Sequence, residues 1–120
     1  MSIRILIIED DPFIAMDLQD TFEDAGFNVI GPAASVEAGL DLIERKAPDV
    51  AMLDYNLGRE TSITIANKLD EDSIPYAFLS GQTDRAVMAE LSIPKKVFSK
   101  PFRAVKIIDY VKELCNPLPI

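Results

Sequence analysis

The sequence contains no histidine. Its absence removes serine–histidine–aspartate and cysteine–histidine catalysis, and with them the usual zinc sites. Cysteine is nearly missing as well. The single thiol, Cys115, has no partner for an internal disulfide and no metal-ligand spacing around it; it reads as a half-buried helix thiol. Positive charge is scarce: 12 lysines and arginines stand against 20 acids, for a net charge of −8. The counterion term therefore has the wrong sign for direct binding of nucleic acid or an anionic membrane, and cations and basic protein patches are favoured. Long hydrophobic runs are also lacking. The apolar stretches are strand-sized and far short of a membrane span. Arg4 inside the first of them, with charge following at once, is unlike a signal peptide. The expected location is the cytoplasm. Chemistry in such a chain must run on carboxylates, hydroxyls and lysines, with or without a hard metal ion.

Apolar residues are plentiful, at 48% of 120 residues, which is enough for one folded domain over 1–120. Two kinds of segment alternate. Ile3 to Ile8 is a continuous apolar run broken by one arginine, the pattern of a strand covered on both faces. Pro12 to Ala25 reads as a helix, with Asp11 as N-cap, Pro12 in the first turn and Gly26 as the stop. Its inner side is expected to carry Phe13, Ile14, Met16, Leu18, Phe22 and Ala25. Phe27 to Ala34 is a second strand broken by Gly31-Pro32, and Ser35 caps a helix to about Lys46 with Val36, Leu40 and Ile43 facing in. Val50 to Asp54 is a third strand, Tyr55 to Glu60 a loop, and Thr61 to Leu69 a weak helix rich in β-branched residues. Tyr76 to Leu79 and Lys96 to Ser99 complete the strands; helices are expected over Asp84 to Leu91 and Pro101 to Leu114, with Asn116 to Ile120 as an exit tail. Five βα units with short loops imply an α/β fold: a single five-stranded parallel sheet, doubly wound, with helices on both faces.

In open parallel sheets, sites form beyond the carboxyl ends of the strands. The first strand runs into Glu9, Asp10 and Asp11; the third ends in Asp54, the fourth in Ser80, and Lys100 follows the fifth. All stand at one edge. Like charges so placed repel, so the acids are either simply solvated at a strand end or offset by a cation. Each residue has an ordinary reading of its own: Asp11 as a helix cap, which is preferred for it, Ser80-Gly81 as turn chemistry, and Lys100 as a surface charge. Taken together, three carboxylates, a hydroxyl and a lysine suit a hard divalent ion and a transferred phosphoryl group. Asp17, Asp20, Glu23 and Asp24 are expected on exposed helix faces, and Arg59 and Glu60 read as loop charges.

The stretches IIEDD, MLDYNLG, FLSG and SKPF, in this order at the ends of the first, third, fourth and fifth strands, make the chain resemble the receiver domain of two-component response regulators over its whole length. The resemblance implies the flavodoxin-like (βα)5 fold. It makes Asp54 the phosphoacceptor and gives Mg²⁺ the ligands Glu9, Asp10, Asp54 and the backbone carbonyl of Asn56, with Asp10 the more direct of the acidic pair. It makes Ser80 the switch hydroxyl, Lys100 the partner of the phosphoryl group, and Pro101 a cis-proline candidate. The donor is then a histidine kinase or a histidine phosphotransfer protein, and the output is protein–protein interaction in a phosphorelay. DYNLGRE and IPYAFLSGQ are further similar to stand-alone receivers of alphaproteobacteria, with DxNLGGE and PFxFATGY patterns. Here Leu79-Ser80-Gly81 replaces Ala-Thr-Gly, and Gln82 stands where that subgroup has tyrosine. Common receivers carry a tyrosine or phenylalanine three residues before the strand-five lysine; the position here is Val97.

Three other readings compete. One is a receiver domain excised from a larger response regulator or hybrid kinase, although Met1 and the closing PLPI favour a complete chain or one cut at the domain edge. Another is a Mg²⁺-dependent aspartate-nucleophile phosphohydrolase of the haloacid dehalogenase type. It needs a second acid two residues after the nucleophile, where Asn56 stands, and usually a cap domain, for which this length has no room. The last is a flavodoxin-like cofactor binder, which needs a phosphate loop rich in serine, threonine and glycine after the first strand; EDDPF stands there and would repel a phosphate in the absence of a metal.

Overall fold

Ile5, Leu6, Ile7 and Ile8 are all fully buried, so both faces of the first strand are covered, as a continuous apolar run requires. The computed structural model describes residues 3–81, 97–99 and 103–115. Within them the order is β1 (Arg4–Ile8), α1 (Pro12–Asp24), β2 (Asn28–Ala33), α2 (Val36–Lys46), β3 (Val50–Asp54), α3 (Ile63–Glu71), β4 (Tyr76–Ser80), β5 (Val97–Ser99) and α4 (Ala104–Cys115). The strands form one parallel sheet in the order β2-β1-β3-β4-β5, as expected for a doubly wound α/β fold. The helix expected over Asp84 to Leu91 lies outside the described residues.

Strand alternation sorts the core into two layers. Leu6, Ile8, Leu53 and Phe78 face α2 and α3, packing with Ile43, Ile65 and Leu69. Ile5, Ile7, Met52 and Leu79 face α1 and α4, packing with Leu18, Phe22, Ile107 and Val111. Gly39 explains how α2 seats so closely: a Cβ there would lie 2.7 Å from Ile65 Cδ1 and 2.9 Å from Ile8 Cδ1.

Local chemistry sets the helix starts. Asp11 Oδ1 accepts from the Phe13 and Ile14 amides at 2.9 and 3.3 Å, and Ser35 Oγ accepts from Ala38 at 3.2 Å. Both are the expected N-caps. Three expectations need correction. Phe13 and Met16 do not face in; they are 81% and 60% exposed, and the buried stripe of α1 is Ala15, Leu18 and Phe22. Gly31-Pro32 does not break β2. The strand continues through a bulge, with Leu6 opposite Ile30 and Ile8 opposite Ala33. Gly31 takes φ +93 there, a value only glycine adopts easily, and a Cβ would meet Ala33 N at 2.9 Å. The last helix begins at Ala104 rather than Pro101, because Arg103 precedes it in non-helical conformation. Cys115 is half-buried on α4 as expected; burial and then the nearby Asp49 push its thiol pKa up, the direction of an unreactive thiol.

Candidate functional site

β1 delivers its acids at the carboxyl edge of the sheet through a backbone bond from Glu9 N to Ala33 O of β2, at 2.9 Å. The three consecutive acids then separate by environment. Asp11 is committed to the cap of α1. Glu9 is 2% exposed and its Oε2 accepts from the Asp11 amide at 3.1 Å. Asp10 is exposed. Asp54, the last residue of β3, is 3% exposed and pairs in register with Leu79 of β4.

Glu9, Asp10 and Asp54 come together: one carboxylate oxygen of each lies within 4.8 Å of the others. Two buried carboxylates and a third beside them form an oxygen-only donor set of high negative charge. That chemistry fits a hard divalent cation and disfavours a soft one.

After Asp54 the chain folds back on itself. Tyr55 N donates to Leu79 O at 2.8 Å, Leu57 N to Glu60 O at 2.9 Å, and Ser62 N to Tyr55 O at 2.9 Å. The Asn56 side chain closes the turn, its Oδ1 accepting from Gly58 N at 2.9 Å, with Gly58 at φ +84. Asn56 therefore sits next to Asp54 with its amide group already used by the loop.

Ser80 ends β4 with its side chain fully buried, and its Oγ has no hydrogen-bond partner among the described residues. Such a hydroxyl is costly to leave unmatched. Its register partner on β5 is Ser99. Lys100 and Pro101, which follow, lie outside the described residues. Beside Glu9 and Asp10 a surface cleft of about 330 Å³ opens, walled by Met16 and Gln19 of α1 and by Pro32 and Ala34.

Glu60 is not a loose loop charge. Its Oε1 accepts from Val36 N, the first amide of α2, at 2.8 Å. A pairing across 24 residues leaves no local sequence signal, although the bare first-turn amides of a helix are a general place to look for a carboxylate.

Residues 5–112 match the response regulator receiver domain family. The chain is 34% identical over 110 residues to the phyllosphere-induced regulator PhyR of Methylorubrum extorquens, an alignment covering 89% of this chain and 41% of that protein. The chain thus spans well under half of that curated relative. Among solved structures, SdrG from Sphingomonas melonis superposes with a TM-score of 0.80 at 33% identity, covering 94% of this chain and 96% of that one. A response regulator receiver protein from Sinorhizobium medicae gives a TM-score of 0.84 at 23% identity, over 97% and 96% of the two chains, and shows the shared fold.

Proposed function

This chain belongs to the response regulator receiver domain family, and from that premise we propose that it accepts a phosphoryl group on Asp54 from a phosphohistidine of a separate kinase or phosphotransfer protein. A carboxylate oxygen of Asp54 attacks phosphorus; the P–O bond forms, the P–N bond breaks, and the imidazole leaves with the electron pair. The observation that carries this reading is the convergence of Glu9, Asp10 and Asp54 at the carboxyl edge of the sheet, two of them buried.

Glu9, Asp10, Asp54 and the Asn56 carbonyl are the residues that would hold Mg²⁺. When bound, the ion offsets the charge of the carboxylates and of the phosphoryl oxygens. Ser80, buried with a spare hydroxyl, donates a hydrogen bond to a phosphoryl oxygen. Lys100 supplies a fixed positive charge to the phosphoryl group, and Pro101 follows it in sequence. The side chain of Asn56 is an amide held by Gly58, so it offers no proton for the general-acid step of a phosphohydrolase. The domain is a signalling module whose whole length, 1–120, works as one receiver, with its output carried by contact with another protein.

The test is incubation with Mg²⁺ and acetyl phosphate, followed by intact-mass analysis. Wild type gains one phosphoryl mass. If Asp54→Asn gains it equally, the assignment is wrong.

A further inference from the structure

The acidic site has two arms. One is Glu9–Asp10 after β1; the other is Asp54 and the loop that follows it to Glu60. They come from different strands, and their separation fixes how well one ion can be shared between them. Both arms are tied to the same short connection between β2 and α2. Glu9 N donates to Ala33 O at 2.9 Å. Val36 N donates to Glu60 Oε1 at 2.8 Å. Between these anchors lie only Ala34 and Ser35, and Ser35 is extended at φ −141 and ψ 163 with its Oγ on Ala38 N.

We propose that Glu60 is a positioning residue for the acidic site, holding the arm that carries Asp54 and Asn56 at a set distance from the arm that carries Glu9 and Asp10. The anchor it grips is firm, because α2 packs at Gly39 directly on side chains of β1 and α3. The grip is transmitted along a stiff path. Leu57 N bonds Glu60 O at 2.9 Å, Asn56 bridges Thr61, and Asn56 Oδ1 holds Gly58 N at 2.9 Å. A shift of Glu60 therefore moves Asn56, next to Asp54. The carboxylate also sits at the positive end of the α2 dipole, where negative charge is stabilised. Glu60 is exposed, so it contributes little to global stability; its use lies in placement.

The proposal rests on the reading of Glu9, Asp10, Asp54 and Asn56 as metal ligands, and its test separates the two. The measurement is the Mg²⁺ dissociation constant of the full chain, by amide NMR titration, together with thermal unfolding in EDTA. Glu60→Ala is expected to weaken Mg²⁺ roughly ten-fold, the low end for residues that orient ligands, with a metal-free Tm change below about 5 °C. Glu60→Gln keeps an acceptor oxygen and restores most of the affinity. Val36→Pro removes the donor at a first helical position that tolerates proline, after a residue already in the extended conformation proline prefers before it. It is expected to mimic Glu60→Ala, and the double variant to bind no more weakly than either single one. If Asp10→Ala weakens Mg²⁺ while Glu60→Ala and Val36→Pro bind as wild type, the positioning role is overturned and the metal site stands. If Asp10→Ala leaves affinity intact, the metal site itself is overturned, and the proposal with it. Equal losses in Glu60→Ala and Glu60→Gln with a large fall in metal-free Tm would make the residue a structural support only.

Discussion

Phe98 meets Tyr110 edge-on, with ring centroids 5.6 Å apart and planes at 72°. Val97, its neighbour on β5, packs with the opposite core layer, beside α2 and α3. The aromatic ring that common receivers place three residues before the strand-five lysine therefore has no counterpart: Val97 has the position without the ring, and Phe98 has the ring on the wrong face. Phe98 is a packing residue against α4. Phe98→Ala is expected to lower stability by about 2 kcal/mol, less than the roughly 3–5 of a fully buried ring, while leaving phosphoryl acceptance at Asp54 near wild type. Urea unfolding and intact mass on the same sample check both halves. Loss of acceptance at unchanged stability would place Phe98 in the signalling path after all.

Asp10 is exposed beside two buried carboxylates. Asp10→Ala is expected to weaken Mg²⁺ at least ten-fold, since the site loses a charged ligand. In EDTA the same change relieves like-charge repulsion and is expected to stabilise the protein by about 1 kcal/mol, the Coulomb scale for a solvated pair at this separation. Chemical denaturation with and without metal reads both signs. Marked destabilisation in EDTA would mean that Asp10 supports the fold rather than the ion.

At the other end of β4, the Tyr76 hydroxyl donates to Asp70 Oδ2 at 2.9 Å. Burial first, then the bond to Asp70 and its negative charge, hold the Tyr76 pKa well above the ordinary 10.0. With the folded value above the unfolded one, the folded state keeps a proton that the unfolded state loses. The contribution of this group is complete below pH 10 and is lost as pH climbs from there toward the folded pKa. Tyr76→Phe cannot lose that proton. The stability difference between wild type and Tyr76→Phe is expected to be flat from pH 7 to 9 and to move against wild type above 10. A difference that stays constant across that range would contradict the shift.

The parts of this architecture that local chemistry dictates could be read from the residues. β3 occupies Val50–Asp54 as its apolar run implies, and Asp11 and Ser35 cap their helices because short oxygen side chains there reach first-turn amides. The strand-end acids could be placed at one edge, since a parallel sheet sends every carboxyl end the same way. What could not be read depends on tertiary placement. Residue type marks Phe13 and Met16 as apolar, yet the neighbouring α4 and sheet cover only the side of α1 that carries Ala15, Leu18 and Phe22. Glu60 reaches Val36 only because the sheet order brings the ends of β3 and β2 to either side of β1. The bulge at Gly31 arises from pairing with β1, which the dipeptide itself does not reveal.

We propose that Asp54 is the group that takes up phosphorus. Wild type and Asp54→Asn should be incubated side by side with Mg²⁺ and acetyl phosphate, then with EDTA substituted for Mg²⁺, and weighed intact. One phosphoryl mass is expected on wild type with Mg²⁺, and none on Asp54→Asn or on wild type in EDTA. An Asp54→Asn protein that gains the same mass at the same rate would contradict it.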